Sequence, residues 1–481
     1  MIQNYRARAG LGAVNYAQVR EDIRVVMTDS KEFWPADYGT YAGLFLRLAW
    51  HNAGSYRTSD GRGGADGGRQ RFEPERSWPD NTNLDKARRL LWPVKEKHGD
   101  NLSWGDLFVL AGDEAITSSG GTVLGFCGGR VDAPDGSESI QLGPSDIQEE
   151  LTPCPENGEC ESPLGANTVG LIYVNPEGHM ADGDPVKSAQ DIRDVFGRMD
   201  MNDTETVALI GGGHTIGKTH GACPYGAGPS PDEDPLNPWP GMCGDGKLEN
   251  AFTSGFELPF TSRPKYWDTE YFDNLLAYTW EIFEGPGGHK QWRVTPQSDS
   301  PVAPSADGTH NQSIGLLTSD VALKTDLAYR QIVESFSGNL ETFDQMFAHA
   351  WYKLTTRDMG PRSRCMNDDA PAAQDWQYPL PEVTESPPDW SEVKARLVSI
   401  LDSDTASYGE FTRLAWQCAS SFRVTDYQGG CNGGRVRFSP AADWSVNVNL
   451  NGLSKLQQIS QEFGPSLSMA DLIVLGKERG R

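Results

Sequence analysis

Apolar residues recur along most of this chain at intervals of three and four, the spacing that places them on one face of a helix. Glycine- and proline-rich stretches separate these periodic segments, and the strict alternation typical of a β-strand is rare. The pattern therefore predicts a mainly α fold. The predicted helices cover residues 16–27, 39–53, 84–97, 104–116, 189–199, 203–210, 320–336 and 340–354.

The helix predicted over residues 39–53 carries an arginine, a tryptophan and a histidine within its apolar run. Arg47, Trp50 and His51 stand at spacings i, i+3 and i+4, so their side chains leave the helix on one face. Burying an arginine is costly unless its charge is compensated. We therefore expect the three side chains to point together into one cavity.

A second candidate motif, GGGHTIGKTHG, comes directly after the helix predicted over residues 203–210. Its successive glycines allow the backbone to approach something large and flat, and His214 follows them at once. His220 comes later at a spacing that matches neither HExxH nor a short zinc pair. A lone histidine is more often a satisfied core residue than a ligand, so His214 alone is weak evidence for a site.

One long internal repeat divides the chain. The segment LFLRLAWHNAGSYRTSDGRGGADGG returns near the end as EFTRLAWQCASSFRVTDYQGGCNGG. Its length indicates two domains of one fold rather than small stacked units. We predict domains over residues 1–385 and 386–481, joined at the proline- and acid-rich stretch PEVTESPPDW.

The two copies differ at one chemically important position, because His51 corresponds to Gln417 and the second copy lacks that proton acceptor. The other matched pairs are Arg47 and Arg413, Trp50 and Trp416, Trp78 and Trp444, and Asn81 and Asn447. The second copy is also shorter, running only to Arg481. We expect it to be either an incomplete domain or a stub that cannot bury its own core.

Charge restricts the choice of partners. The chain has 42 basic and 67 acidic residues, a net charge of −25. Phosphates would be repelled along most of such a surface, so we expect neither nucleic acid nor an anionic membrane as a partner. No run approaches the 18 apolar residues or so of a membrane span, and the first residues lack the apolar core of a signal peptide.

Two pairs among the eight cysteines bracket polar loops. Cys154 and Cys160 enclose PENGE, and Cys223 and Cys243 enclose a segment rich in proline, glycine and aspartate. Each pair could close its loop as a disulfide, and unpaired loop cysteines are the alternative. Disulfides would indicate an oxidising, extracellular compartment, which fits the missing signal peptide only if the N-terminus is incomplete. A cytoplasmic location stays open.

The candidate residues form a chemical set. A histidine that accepts a proton, an arginine that stabilises developing negative charge and a second histidine that can bind iron are what splitting a peroxide at haem requires. His51, Arg47 and His214 supply these three groups.

Longer blocks carry a resemblance to a known family. The blocks are LFLRLAWHNAGSYRTSDGRGGADGG, SWPDNTNLDKARRLLWPVKEKHG, LIYVNPEG, RMDMNDTETVALIGGGHTIGKTHGA and AWYKLTTRDMGP. They resemble the catalase-peroxidases, the bifunctional class I haem peroxidases, over nearly the whole chain, including the duplicated second domain. The resemblance implies a helical haem peroxidase fold with a partial, non-haem second copy.

By the same resemblance, the cofactor is haem b and His214 is its axial iron ligand. His51 is then the distal acid and base, Arg47 polarises the peroxide, and Trp50 lies over the haem. Asn81 accepts a hydrogen bond from His51, and Asp80 lines the access channel. Asp320 accepts a hydrogen bond from the second ring nitrogen of His214. The alternative interpretation is that Asp320 is the N-cap of the following helix.

The resemblance also implies a catalase branch. Trp50, Tyr173 and Met199 match the family's covalently linked triad, and Arg357 matches its mobile arginine. The expected reactions are degradation of hydrogen peroxide to water and dioxygen, and oxidation of small one-electron donors. Without the resemblance, Tyr173 and Met199 read as packing residues.

Phe260 departs from the family, because it stands where the family has a proximal tryptophan. A phenylalanine ring cannot donate a hydrogen bond, so we expect Asp320 to lose a partner and radical transfer to change. Trp267 or Trp280 could supply an indole instead.

Two other functions stay open: a peroxidase without catalase activity, or a truncated, non-catalytic haem-binding pseudoenzyme. The family's interlocking N-terminal arm is largely missing, so a homodimer is also left open.

Overall fold

The chain folds into two compact units. The structure is a computed structural model and describes residues 13–143, 174–296, 300–381 and 386–478. The first unit comprises residues 1–359 with 363–372, and the second comprises residues 360–362 with 373–481. The assignment of the second unit as an incomplete, non-haem copy beginning at residue 386 stays a prediction.

Helices dominate the first unit, as the apolar periodicity predicts. Their bounds are α1 (Tyr16–Thr28), α2 (Ala42–Ala53), α3 (Leu84–His98), α4 (Trp104–Ser118), α5 (Pro185–Arg198), α6 (Asp203–Thr215), α7 (Glu270–Ala277), α8 (Thr318–Thr325), α9 (Leu327–Phe336) and α10 (Leu340–Thr356). Side-chain caps fix several starts: Ser103 accepts from the backbone of Asp106 at α4, and Asn202 and Glu205 form a capping box at α6. The second cap fixes the start of α6, the helix that carries His214.

Two predicted helices are wrong in extent. The segment predicted as one helix over residues 320–336 is two helices, because the backbone of Asp326 is extended and its side chain caps α9. The helix predicted to end at residue 210 continues through three glycines to Thr215, so His214 lies in its last turn. Tertiary packing overrides the low helix propensity of those glycines.

Short strands connect the helices of the first unit. They are β1 (Lys218–Thr219), β2 (Leu258–Pro259), β3 (Trp280–Glu284), β4 (Lys290–Val294), β5 (Val302–Pro304), β6 (Asn311–Ser313) and β7 (Gly315–Leu316). All the pairs are antiparallel: β1 with β2, β3 with β4, β4 with β7, and β5 with β6. β7 leads directly into α8, which carries Asp320.

The second unit is helical as well. It contains α11 (Trp390–Ser403), α12 (Ser407–Ala419), α13 (Gly452–Phe463) and α14 (Met469–Glu478). Leu397, Phe411, Leu456 and Leu472 are almost fully buried in one cluster. Of the two alternatives for this copy, the stub that cannot bury a core is therefore wrong, although Trp416 is 63% exposed.

Three disulfides join cysteines of the described residues. Cys223 pairs with Cys243, as predicted from the loop between them. Cys127–Cys365 and Cys418–Cys431 are further disulfides that sequence spacing did not indicate. The predicted pair Cys154 and Cys160 lies outside the described residues.

None of the helices in the described ranges combines the length and apolar character needed to cross a bilayer.

Candidate active site

A deep cavity in the first unit lies between α2 and α6. Arg47, Trp50 and His51 line it from α2, as their spacing predicts, and His214 lines it from α6. The two histidines are far apart in sequence, yet the fold directs both into the same space. The cavity therefore brings together the candidate proton acceptor, cation and metal ligand.

A hydrogen bond defines the tautomer of His51. Its Nδ1 lies 3.0 Å from Oδ1 of Asn81, and Nδ2 of Asn81 donates to the Glu75 carbonyl over 2.7 Å. The second bond orients the amide, so Oδ1 accepts and His51 carries its proton on Nδ1. The lone pair is then on Nε2. Burial, reinforced by the charge of Arg47, holds the pKa of His51 well below its ordinary value.

Arg47 is held by the segment that also carries Asn81. Its guanidinium donates to the carbonyl oxygens of Thr82, over 2.9 Å, and Asp80, over 2.7 Å. Both of these acceptors are uncharged carbonyl oxygens, so these two bonds orient the guanidinium without neutralising it. The carboxylate of Asp80, predicted to line the access channel, is not among the groups that line the described cavity. Its backbone nevertheless helps to orient Arg47.

Only two of the three triad residues lie within the described part of the chain. Trp50 lines the cavity and packs against Phe196, with ring centroids 5.6 Å apart. Met199 is fully buried at the C-terminal end of α5, in the same apolar cluster as Phe196. Tyr173 lies outside the described residues, so its role stays a prediction.

His214 is oriented by Asp320. The Nδ1 of His214 donates to Oδ1 of Asp320 over 2.7 Å, and its Nε2 makes no hydrogen bond to any described residue. Oδ2 of Asp320 accepts from the backbone N–H of Leu317 over 2.8 Å. Asp320 is the third residue of α8, so the alternative interpretation of Asp320 as the N-cap is wrong. Its Oδ2 bonds to the backbone at the start of the helix, and its Oδ1 bonds to His214.

The glycines before His214 act differently from the prediction. A β-carbon on Gly211 would lie 2.2 Å from the Phe272 ring, and one on Gly212 would lie 2.3 Å from Phe347. These two glycines therefore let α6 pack closely against neighbouring helices. Only Gly213 lines the cavity, and a β-carbon there would meet nothing within 4 Å. The expected close approach to a flat group thus applies to Gly213 alone.

Phe260 lies against the proximal histidine. Its ring is parallel to that of His214, with centroids 4.0 Å apart and planes 6° from each other. The alternative indoles are engaged elsewhere: Trp267 stacks on Phe343, and Nε1 of Trp280 donates to the Leu275 carbonyl. Neither replaces the family's tryptophan beside Asp320.

Tyr271 is a site residue that the sequence reasoning missed. Its hydroxyl donates to Oδ1 of Asp320 over 2.6 Å, so the expectation that Asp320 loses its second donor is wrong. Burial and the neighbouring carboxylate raise the pKa of Tyr271 well above its ordinary value, which keeps the hydroxyl protonated. The absence of an indole at Phe260 was the one available signal that another donor should be sought.

Arg357 lies outside the cavity wall. Its Nε donates to Asp200 over 2.8 Å, and its guanidinium carbon lies 5.5 Å from the centroid of the Tyr56 ring. Asp200 immediately follows Met199 in the chain. The structure therefore places this arginine beside the segment of the predicted triad, although not in contact with the cavity.

The residues of the cavity fit a haem. Nε2 of His214 is available as an axial ligand, and Gly213 leaves room beside it. Apolar side chains form much of the wall: Leu44, Val174, Leu209, Ile216, Phe256 and Leu317. Hydroxyl and other polar groups, including Thr253, Ser254 and the hydrogen-bonded side chains of His220 and Asp37, line another part. This combination suits an apolar macrocycle with an ionised edge.

Helical fold and cavity together define a haem protein of the peroxidase class. The family described as peroxidase matches residues 19–339 and 392–479, which lie in the two halves of the repeat. The chain belongs to this family.

Within the family, the chain is one of the catalase-peroxidases, as three relatives of that name show. The one from Natronomonas pharaonis is 48% identical over 95% of this chain and 67% of its own length. That from Geobacillus thermodenitrificans is 46% identical over 96% of this chain and 64% of its own. That from Burkholderia multivorans is 44% identical over 100% of this chain and 68% of its own. The chain thus spans about two thirds of the length of these relatives.

Proposed function

We propose that the chain is a haem-dependent catalase-peroxidase. It degrades hydrogen peroxide to water and dioxygen, and it oxidises small one-electron donors with peroxide. The observation that carries this proposal is the convergence of His51 and His214 on one cavity, each with its Nδ1 bonded to an oxygen acceptor. One histidine is set up to receive a proton, and the other to bind a metal.

The proposed cofactor is haem b, with His214 as its axial ligand. Bound haem would supply the redox-active iron at which peroxide is reduced. Asp320 holds His214 in the tautomer that leaves Nε2 for the metal and increases the ligand's basicity. The apolar wall keeps bulk water away from the macrocycle.

His51 and Arg47 handle the peroxide itself. Nε2 of His51 takes the proton from peroxide and returns it to the departing oxygen, so a single residue acts as base and then as acid. The lowered pKa keeps His51 neutral and ready to accept that proton. Arg47 stabilises negative charge on the departing oxygen, and its carbonyl partners fix its position beforehand.

Catalase activity is proposed to need groups beyond this pair. Trp50, Tyr173 and Met199 would form the linked triad, with Trp50 at the cavity wall and Met199 buried nearby. Arg357, which bonds to Asp200, would assist the second peroxide molecule by moving towards the triad. In the peroxidase branch, two one-electron donors replace that second peroxide.

A peroxidase without catalase activity is the second candidate. The stacking of Phe260 on His214 favours it, because the ring of Phe260 is harder to oxidise than an indole and cannot donate a hydrogen bond. His51 and Arg47 would act on peroxide in the same way in a catalase-peroxidase and in a peroxidase without catalase activity. Mass spectrometry of peptides that contain Trp50, Tyr173 and Met199 distinguishes them, since the proposed catalase branch depends on the cross-link.

The second unit is proposed to bind no haem. Gln417 replaces the histidine of the first copy, and the neighbouring Trp416 is exposed rather than facing an enclosed cavity. A non-catalytic pseudoenzyme is disfavoured for the chain as a whole, because the first unit retains Arg47, His51 and His214 in one cavity.

The disulfides favour an oxidising, extracellular location over the cytoplasm.

Oxygen yield tests the proposal. Haem-loaded protein is given hydrogen peroxide without a donor, and dioxygen is measured against peroxide consumed. About one dioxygen for every two peroxides is expected for the catalase branch. Consumption only with an added donor would support a peroxidase alone. No consumption in either condition, in a sample whose spectrum shows bound haem, would reject both enzymatic functions.

A further inference from the structure

The carboxylate of Asp320 is shared by three donors. Oδ1 accepts from Nδ1 of His214 over 2.7 Å and from the hydroxyl of Tyr271 over 2.6 Å. Oδ2 accepts from the backbone of Leu317 over 2.8 Å. Asp320 is fully buried, so these bonds determine how its negative charge is distributed. His214 and Tyr271 therefore compete for the electron density of a single oxygen.

Among the described residues, Tyr271 bonds through its hydroxyl only to Asp320. It is fully buried in α7, and its ring meets that of His214 edge-on, with centroids 5.8 Å apart and planes at 74°. An ionised carboxylate only accepts hydrogen bonds, so the phenol must be the donor. Neighbouring aromatic rings, Phe272 among them, fix the position of the phenol.

We infer that Tyr271 is a positioning residue of the proximal site, and that its hydrogen bond to Asp320 sets how strongly His214 donates to haem iron. The inference rests on the proposed function, because it presupposes that His214 binds the iron. Tyr271 bonds through its hydroxyl to Asp320 and not to His214. It acts through Asp320, on the same face where Phe260 supplies a ring without a donor.

The direction of the effect follows from the shared oxygen. A donor on Oδ1 withdraws electron density and makes Asp320 a weaker acceptor for the N–H of His214. Removing the phenol strengthens the bond between Asp320 and His214, which increases the imidazolate character of the ligand. A stronger ligand stabilises ferric over ferrous iron. Loss of the hydroxyl should therefore lower the reduction potential of bound haem.

Tyr271→Phe is the variant that tests this inference, because it removes one oxygen and keeps the ring packing. Tyr329→Phe is the matched control: Tyr329 is also fully buried in the first unit, and its hydroxyl has no hydrogen-bond partner among the described residues. The measured quantities are the ferric–ferrous reduction potential and the iron–histidine stretching frequency of the ferrous haem protein. Neither quantity depends on turnover.

We expect Tyr271→Phe to lower the potential and raise the iron–histidine frequency, while Tyr329→Phe changes neither. The loss of one hydrogen bond corresponds to a change of about threefold to tenfold in the ferric-to-ferrous ratio at a fixed potential. Unchanged potential and frequency in Tyr271→Phe would overturn the inference, and so would an equal shift in Tyr329→Phe.

Failure of the inference can be distinguished from failure of the proposed function. If wild-type protein shows no iron–histidine stretch, or if His214→Ala retains the stretch, His214 is not the ligand and the proposed function fails first. If the stretch is present in wild type and absent in His214→Ala, the comparison of Tyr271→Phe with Tyr329→Phe judges Tyr271 alone.

Discussion

The ring of Phe260 lies parallel to that of His214, with the two centroids 4.0 Å apart. The contact fills the space beside the proposed iron ligand, but it adds no hydrogen-bond donor. Asp320 receives its second side-chain donor from Tyr271 instead. Packing and hydrogen bonding on this side of the cavity are thus divided between two residues, where one indole would supply both.

Changing Phe260 to tryptophan should alter radical chemistry more than haem binding. The indole is more readily oxidised than a phenyl ring, and the stacked position brings it against the proposed ligand. We expect a changed yield of protein radical in electron paramagnetic resonance spectra after peroxide addition, with haem occupancy close to wild type.

Phe260→Leu is the control for this substitution, because it removes the ring without introducing an oxidisable group. It should leave the radical yield nearer to wild type than the tryptophan variant does. Identical radical spectra in wild type and Phe260→Trp would count against the placement of Phe260 at the family's tryptophan position.

Local patterns in the sequence predict much of the distal half of the site. Helical spacing alone places Arg47, Trp50 and His51 on one face, and α2 carries all three into the cavity. The prediction succeeds because these residues lie within one turn of each other, where side-chain direction follows directly from backbone geometry. Asn81 was placed by resemblance, and the structure puts its amide against His51.

The proximal half could not be predicted in the same way. Tyr271 and Asp320 are 49 residues apart and meet only because α7 packs beside α8. Two of the three glycines that extend α6 are explained by ring contacts with Phe272 and Phe347, which are likewise distant in sequence. Periodicity contains no information about such contacts, so the missing donor at Phe260 indicated only that a partner was needed.

Replacing His51 by glutamine copies the second repeat and should abolish peroxide splitting. The amide of glutamine cannot accept and return a proton at neutral pH, whereas the cavity wall and His214 are unchanged. We expect the bimolecular rate of reaction with peroxide to fall by about 10²–10⁴-fold, measured by stopped-flow absorbance with haem still bound. The exposed His310 provides a control, since His310→Gln should react at the wild-type rate. Near-normal turnover in His51→Gln would refute the proposed role.

The pH dependence should show that His51 is held neutral. Its pKa is lowered from 6.5 by burial and by Arg47, so the neutral base persists below that pH. We expect the acid limb of the peroxide reaction to lie well below pH 6.5. In Arg47→Gln the positive charge is lost, so the limb should move towards neutral pH while the rate falls by about 10²–10³-fold. A limb that stays in place would show that Arg47 does not control His51.

The lowered pKa of His51 also makes the free energy of unfolding depend on pH. The unfolded chain has the ordinary histidine pKa near 6.5, whereas the folded value is lower. Between the two values the unfolded state binds more protons, so the free energy of unfolding rises with pH. This contribution of His51 is present above pH 6.5 and is lost as the pH falls through the folded pKa. Denaturant titrations of wild type and His51→Gln across this range should differ most at the acid end.

Met199→Leu should separate the two proposed activities. Leucine is close to methionine in volume, so the buried position keeps its packing at a cost of less than about 1.5 kcal/mol. It has no sulfur, however, and cannot take part in the proposed covalent link. We expect dioxygen evolution to be lost while peroxide-driven oxidation of an added donor is retained. If Met199→Leu evolves dioxygen as wild type does, the link through this residue is not required.

Arg357 should affect catalase activity without affecting the first reaction with peroxide. Its guanidinium is bonded to Asp200, beside Met199, and is not part of the cavity wall that contains His51. Removing it in Arg357→Ala should reduce dioxygen evolution at least several-fold, with the stopped-flow rate of the initial peroxide reaction near wild type. Arg330→Ala is a suitable control, because Arg330 is exposed and pairs only with Glu334 among the described residues. An equal slowing of the initial peroxide reaction and of dioxygen evolution in Arg357→Ala would contradict a role in the second step, because a residue that acts only on the second peroxide cannot slow the reaction with the first.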